Sequence, residues 1–314
     1  MTTTAPSTTT AAEPTTPVAE APAPRTAAPA PTPRRRRWSP ADLALTAWSV
    51  LVFLFLFAPI LVIIVYSFNN GRLLIAWNEF GFEPYRALWE KPAVRDAVAV
   101  SLRTGAIAAV LATLLGTLGG IALARRPGKW AFWFVGLLLL VSVTPEIVDA
   151  VSLLPWLVFL GQDAGMTLFN DGTARLVIGH SLFSTAVVTY IVRARLVGLD
   201  EALEEASADL YAKPFTTFRR VTLPLAMPAV LAGLLLSFTL SLDNTVVAAF
   251  VQVSGSTPWP VYVLSALRGG LRPEIASVST VMLLLTLAAL ALVAVVLKRA
   301  GDSATQIART MSGG

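Results

Sequence analysis

Residues 205–224 read EASADLYAKPFTTFRRVTLP and are the most polar run in the middle of an otherwise apolar chain. Leading into this run, Leu199, Leu203, Ala206 and Leu210 recur at the spacing of one face of an α-helix. Pro214 predicts the end of that helix near residue 212, because the residue before a proline is pushed out of the helical region. The pattern indicates a helix–turn–helix at a membrane surface. Its apolar face either binds a partner or lies among lipid headgroups as a connector.

The spacing of this run resembles the EAA loop in the permease subunits of bacterial ABC importers. That loop reads Glu-Ala-Ala, three residues, Gly, nine residues, then an aliphatic residue, any residue, Leu and Pro. The matching positions are Glu205, Ala206, Ser207, Tyr211, Val221, Leu223 and Pro224. The resemblance implies that the loop docks into a cleft of a separate cytoplasmic ATPase subunit. Because Tyr211 replaces the family's glycine, we expect this chain to lose the positive φ and close backbone approach that glycine permits.

The composition of the chain is that of a membrane protein. It is 55% hydrophobic and 14% charged, with a mean hydropathy of +0.68, whereas soluble domains carry about 25% charged residues. It has no cysteine and a single histidine, His180, which excludes a disulfide framework and a thiolate or histidine-rich metal site. No G-x-x-x-x-G-K-[ST] phosphate loop is present. We therefore expect no bound cofactor or metal, and we expect ATP to be hydrolysed on a partner chain.

The sequence predicts a tail at each end of the chain. Residues 1–33 are almost entirely Thr, Ala, Pro and Ser, a composition that cannot bury a core and predicts disorder. Arginines follow at 34–37, directly before the first apolar span. Such a run holds its end of a span in the cytoplasm and can contact anionic lipids, a reading we favour over nucleic-acid binding. The expected organisation is a tail at 1–37, a membrane domain at 38–300 and a second tail at 301–314.

Six charge-poor intervals are each near or above the roughly 17–25 residues that cross a bilayer as a helix. They are residues 43–71, 104–124, 130–160, 176–192, 221–253 and 275–297. The sequence therefore predicts an all-α membrane protein with six spans. Gly116 and Gly120 have the small-xxx-small spacing that lets two helices pack closely.

The distribution of positive charge orients these spans. With the N-terminus inside, the inner segments hold 16 of the 24 basic residues and the outer segments hold seven. This asymmetry predicts that both termini lie in the cytoplasm, together with the 205–224 loop between spans four and five. On the outer side, Tyr85, Leu88, Trp89 and Ala93 suggest a short helix along the membrane surface.

Four ionisable side chains lie inside the spans, where charge is costly and often marks a pathway. A rise of 1.5 Å per residue places Glu146 about 25 Å along a straight third span and Asp149 one turn further. Asp243 lies roughly 22 Å along the fifth span and His180 about 7 Å from the outer edge of the fourth. All four are expected in the outer half of the membrane. The carboxylates either form a path for a cationic substrate or cap broken helices and pair with basic residues such as Arg268.

Further matches in chain order resemble the spermidine/putrescine-type permeases, most nearly the subunit called the C component. These matches are YSFN at 66–69, TPEIV at 144–148, RARL at 193–196, SLD at 241–243 and PEI at 273–275. Where the family has a second aspartate after Asp243, this chain has Asn244. The resemblance adds Ser241 and Asn244 to the candidate substrate path. It also implies a second homologous permease, two copies of an ATPase subunit and an extracytoplasmic substrate-binding protein.

The sequence thus favours a multi-pass permease subunit in a bacterial plasma membrane, importing polyamines or a related small cation. The alternatives are the same role for an opine, ferric iron, sulfate or thiamine, or a different class: a proton-coupled secondary transporter or a membrane enzyme. A docking loop has no purpose in a proton-driven carrier. A single histidine without cysteine leaves few constellations for an enzyme.

Overall fold

The computed structural model describes residues 2, 40–74, 76–125, 128–199 and 201–299. Apart from residue 2, the tails predicted at 1–37 and 301–314 lie outside this part of the chain. The chain divides into two compact units, residues 1–53 and 54–314. The described part of the first unit is essentially the beginning of the first helix, and the rest of the fold belongs to the second unit.

Helices make up nearly all of the described chain. In chain order they are α1 (Pro40–Tyr66), α2 (Glu83–Glu90), α3 (Pro92–Arg125), α4 (Lys129–Val143), α5 (Glu146–Val158), α6 (Gly172–Val197), α7 (Ala202–Asp209), α8 (Pro214–Thr217), α9 (Leu223–Asp243), α10 (Val246–Val251), α11 (Trp259–Ala266) and α12 (Pro273–Arg299). A π-helical turn, Phe218–Thr222, joins α8 to α9 without a break. One isolated antiparallel bridge, between Asn69 and Phe80, closes the loop after α1.

Five stretches are long and apolar enough to cross a membrane: Pro40–Tyr66, Pro92–Arg125, Gly172–Val197, Pro214–Asp243 and Pro273–Leu292. A bent pair, Lys129–Val143 with Glu146–Asp163, passes the same test together. Counting that pair as one span gives the six that the sequence predicts, in an all-α fold. Helix α2 also confirms the short helix predicted at Tyr85, Leu88 and Trp89, although Ala93 belongs to α3.

The third span is a broken helix, which is one of the two arrangements that the sequence left open for its carboxylates. Its two halves meet at 105°. Thr144 ends α4 with extended backbone, at φ −63° and ψ 128°, because the ring of Pro145 disfavours a helical conformation in the preceding residue. Helix α5 then begins at Glu146 in a new direction. The depths predicted for Glu146 and Asp149 along a straight helix are therefore wrong.

The fifth span is also shorter than predicted, because α9 ends at Asp243 instead of continuing to residue 253. Asn244 leaves the helical region at ψ 90°, and its side-chain oxygen accepts a hydrogen bond from the N–H of Val247 at 3.1 Å. Asparagine offers the backbone this alternative to a continuing helix. The short helix α10 follows.

The core of the second unit is formed where α3, α6 and α9 pack together. Glycines of α3 allow it to approach α6 closely. A Cβ added at Gly116 would lie 2.6 Å from the Cβ of Val188, and a Cβ added at Gly120 would lie 2.8 Å from the Cβ of Val192. The close packing predicted from the spacing of these glycines is confirmed. Around this contact, Val188, Val192 and Ala226 are fully buried.

Candidate coupling loop and substrate path

Helix α7 ends in a left-handed turn at Tyr211. The N–H of Ala212 donates to the carbonyl of Ser207 at 3.1 Å, and the N–H of Tyr211 donates to that of Ala208 at 2.9 Å. These two bonds form a Schellman motif, whose turn residue is usually glycine. Tyr211 adopts φ +58° here. The expectation that a tyrosine would lose the positive φ is therefore wrong, and the loop keeps the backbone path that glycine would give.

One carboxylate ties the loop to the membrane helices. Glu204 Oε1 accepts hydrogen bonds from Arg125 Nε at 3.0 Å and from Thr222 Oγ1 at 2.9 Å. Arg125 also reaches Glu201 at 3.2 Å. Within the loop, the hydroxyls of Ser207 and Thr217 lie 2.9 Å apart and link α7 to α8. These contacts fix the position of α7 against the end of α3 and the start of α9.

The opposite side of the loop is exposed. Glu205 and Ala206 of the predicted motif are exposed, next to the inward-facing Glu204. At the end of α7 and the start of α8, Leu210, Tyr211 and Phe215 are 82%, 96% and 72% exposed. The loop thus exposes three large apolar side chains and an acidic residue, which a protein partner can cover.

The last three motif residues lie at the junction with the fifth span. Val221 belongs to the π-helical turn, and Leu223 and Pro224 open α9. Because the turn continues from α8 without a break, Pro224 lies within a helical run, where a proline removes one backbone hydrogen bond. Between Val221 and Leu223, Thr222 is buried and makes the bond to Glu204. Two motif residues, Val221 and Leu223, therefore lie on either side of Thr222, which joins the loop to α9.

Asp243 opens onto a cavity of about 340 Å³ between α3, α9, α11 and α12. The polar and aromatic lining residues are Ser101, Thr239, Asp243, Trp259, Ser279 and Thr286. Within the described residues of 40–299, Asp243 takes part in no ion pair. Arg268, the partner suggested from the sequence, forms no ion pair with it in this part of the chain, and Arg103 of α3 donates to Thr173 of α6. The cavity thus combines one unpaired carboxylate, hydroxyl groups and an aromatic ring.

Ser241 and Asn244 do not line the cavity that Asp243 lines. Ser241 is buried, and its hydroxyl lies 2.6 Å from Nδ1 of His180, which is itself buried on α6. Asn244 caps the start of α10 through Val247. The geometry gives both residues structural contacts that hold α9 in place beside α6 and α10.

Glu146 and Asp149 lie in the first turn of α5, away from the cavity. Carboxylates at a helix N-terminus are favoured by the helix dipole. Glu146 is exposed and Asp149 is half-buried, whereas Ala150 and Leu157, further along α5, are buried in a cluster with Val251 of α10. The structure therefore separates the two candidate carboxylates of α5 from Asp243.

The sequence-based reasoning missed residues that complete both sites. Arg125 was counted only as part of the positive charge on the inner side, and Glu204 only as part of an acidic run. Nothing in the sequence indicates that Trp259, Ser279 and Thr286 line a cavity beside Asp243. The acidic spacing of Glu201 and Glu204 on one helical face could have suggested a basic partner, but nothing in the sequence points to a residue 79 positions away.

Residues 116–305 match the family described as binding-protein-dependent transport system inner membrane component. The chain belongs to this family. It is the permease subunit of an ABC importer, a multi-pass membrane protein that is not an enzyme. Importers of this family combine a permease with an ATPase, a second permease and a substrate-binding protein.

Curated relatives that align with most of the chain support this family assignment. It is 36% identical over 242 residues to the putrescine transport system permease protein PotI of Escherichia coli (strain K12), covering 75% of this chain and 85% of the relative. It is 35% identical to the spermidine/putrescine transport system permease protein PotC of Haemophilus influenzae, covering 77% and 91%. The resemblance inferred from the sequence motifs is confirmed.

A solved structure shows the same fold. The permease aligns with a chain of a bacterial alginate ABC transporter, in complex with an alginate-bound periplasmic protein, at a TM-score of 0.65 and 14% identity, covering 82% of this chain and 93% of that one. The family match and the curated relatives favour an importer permease over a proton-coupled carrier or a membrane enzyme.

Proposed function

We propose that this permease imports a polyamine, or a related small cation, along a path that includes Asp243. Relatives at 35–36% identity are named as permeases for putrescine and for spermidine with putrescine. The chain carries the SLD sequence at 241–243 that resembles those proteins. The likeness of sequence and the chemistry of the cavity support the same class of substrate.

The unpaired carboxylate of Asp243 carries this proposal. Asp243 is exposed at the last position of α9, where the helix dipole disfavours a negative charge, and no basic residue within the described chain forms an ion pair with it. A substrate ammonium group would supply the missing positive charge during passage. Trp259 adds an aromatic ring to the lining, a group that attracts cations, and the hydroxyls of Thr239 and Ser279 can accept hydrogen bonds from an ammonium group.

The exposed side of the 205–224 loop is the surface that meets the ATPase. Glu205 would supply a charged contact, and Leu210, Tyr211 and Phe215 would bury apolar area in a cleft of the partner. In the complete importer, two ATPase subunits each hold one permease by such a loop. Closure of the ATPase pair then moves the loops and rocks the spans between inward- and outward-facing states.

The second permease covers the carboxylates of α5. Glu146 is exposed in an otherwise apolar span, beside the exposed side chains of Ile147 and Val148. A carboxylate in such a position is almost always found against another helix or a water-filled path. Glu146 and Asp149 would therefore line the path at the interface between the two permeases, and the outer loops would meet the binding protein.

The decisive experiment measures uptake of labelled putrescine by the complete importer in proteoliposomes. Asp243→Asn keeps the shape of the side chain and removes its charge. A hydrogen bond to a charged group contributes about 1.5–3 kcal/mol, and each 1.4 kcal/mol is about tenfold. We expect uptake to fall at least tenfold while the ATPase subunit still co-purifies.

The same change at Asp163, which is exposed outside the cavity, is the matched control and should leave uptake unchanged. Glu146→Gln should add a further loss to Asp243→Asn. Normal putrescine uptake by that double variant would overturn the acidic path. Uptake of an anion such as sulfate, unchanged or raised by Asp243→Asn, would point to a different class of substrate.

A further inference from the structure

Three separate segments of the permease meet at a single carboxylate oxygen. Arg125 is the last residue of α3, Glu204 lies in the middle of α7, and Thr222 ends the π-helical turn that leads into α9. Glu204 Oε1 accepts from Arg125 Nε at 3.0 Å and from Thr222 Oγ1 at 2.9 Å.

These contacts are shielded from water, unlike those of most charge pairs on a protein surface. The side chain of Arg125 is 10% exposed and that of Glu204 is 22% exposed. Thr222 is 4% exposed. Exposed ion pairs contribute little because water and salt screen them, but here both donors are held against the carboxylate. Glu201, which also contacts Arg125, is 64% exposed and adds less.

The spans on either side of this contact are firmly packed. Helix α3 is held against α6 at Gly116 and Gly120, where there is no room for a Cβ. Helix α9 buries Ala226 and Ala229 against the same face of α6. A displacement of α7 therefore cannot be absorbed by loose packing at the inner ends of α3 and α9. It is passed on through Glu204.

We propose that Glu204 is a positioning residue that joins α7 to α3 and α9, so that movement of the docked loop becomes movement of the spans. This inference rests on the proposed docking of α7 on the ATPase, and it assigns a different task to each of two adjacent residues. Glu205 faces the partner, and Glu204 holds α7 to the membrane helices. Without the contacts of Glu204 to Arg125 and Thr222, the ATPase still binds and hydrolyses ATP, but α7 moves without the spans.

The test measures substrate imported and ATP hydrolysed in the same proteoliposomes, containing this permease with its second permease, ATPase and binding protein. Glu204→Gln removes the charge but keeps an oxygen that Thr222 can donate to. Arg125→Ala removes the donor on α3. We expect both variants to keep the ATPase subunit bound and to lower the ratio of substrate to ATP roughly fivefold or more, the range of typical coupling between sites.

Lys129→Ala is the matched control, since Lys129 is a basic residue at the same end of the membrane domain and opens α4. It should leave the ratio of substrate to ATP unchanged. Exchanging the charges in the double variant Arg125→Glu, Glu204→Arg should recover part of the ratio that each single change loses, because the Thr222 hydroxyl can accept as well as donate.

The outcomes separate this inference from the proposed docking. If no ATPase subunit co-purifies with the unaltered permease, the docking proposal fails. If the subunit binds and Glu204→Gln has the same ratio of substrate to ATP as the unaltered protein, the proposed role of Glu204 is wrong. The docking proposal is not affected by that result. Should Arg125→Ala not reach the membrane, Thr222→Val tests the same contacts from α9, and an unchanged ratio there would also overturn the proposal.

Discussion

Tyr211 holds a conformation that L-residues rarely adopt. A left-handed backbone brings Cβ close to the following carbonyl and costs roughly 1–2 kcal/mol. Tyr211 tolerates φ +58° because two backbone hydrogen bonds close the end of α7 around it, while its side chain is 96% exposed. Because the ring is exposed, it needs no space inside the loop. The strain at this residue therefore comes from its Cβ, and the ring is free to contact a partner.

We expect Tyr211→Gly to stabilise the closed end of α7 by about 1 kcal/mol, since glycine has no Cβ. Amide hydrogen exchange at Ala212, whose N–H bonds to Ser207, should slow roughly fivefold. Tyr211→Ala is the control, because it removes the ring and keeps the Cβ. Equal exchange at Ala212 in the glycine and alanine variants would show that the backbone of the unaltered protein is not strained.

Helix α7 is an element with two sides. Glu204 and Ser207 face the rest of the permease and are partly buried, whereas Glu205 and Ala206 face outward. The helix has only eight residues, too few to be stable alone in water. Its position depends on the bonds to Arg125, Thr217 and Thr222. A change on the outward side should therefore affect partners without affecting the fold.

We expect Glu205→Ala to leave membrane insertion and thermal stability unchanged but to weaken substrate-stimulated ATP hydrolysis by the assembled importer. A charged contact buried at an interface is worth about 2–5 kcal/mol when one partner is removed. Glu201→Ala removes a largely exposed contact to Arg125 and should have a smaller effect. If the two variants hydrolyse ATP equally well and at the normal rate, the outward face of α7 does not dock.

At the scale of the whole molecule, the unequal distribution of positive charge predicts which side of the membrane each loop occupies. Both termini and the 205–224 loop are expected inside, and the loops around 81 and 256 outside. The structure refines how this prediction is tested. Ser256 is only 6% exposed, and a Cβ at Gly81 would lie 2.0 Å from Nδ2 of Asn70. Neither position suits a labelled side chain, whereas Ala164 and Lys213 are exposed.

We predict that Ala164→Cys reacts with a membrane-impermeant thiol reagent in intact cells and that Lys213→Cys reacts only after the membrane is opened. Charge asymmetry of the loops is the physical basis, because basic segments are retained on the cytoplasmic side. The unaltered chain has no cysteine and serves as the blank. Labelling of Lys213→Cys in intact cells would reverse the orientation and remove the docking loop from the cytoplasm.

The sequence by itself determined the number of spans, the helical class and the family, and it pointed to the 205–224 loop as the candidate docking loop. Each depends on local properties: hydropathy summed over one span, the spacing of residues in one motif, or the glycines of one helix face. The tertiary structure decided which neighbour each polar side chain meets. It bent the third span by 105°, turned Ser241 toward His180, opened a cavity beside Asp243, and placed Glu204 between Arg125 and Thr222. The physical reason is that these contacts join segments far apart in the chain, and only the packing of α3, α6 and α9 brings them together.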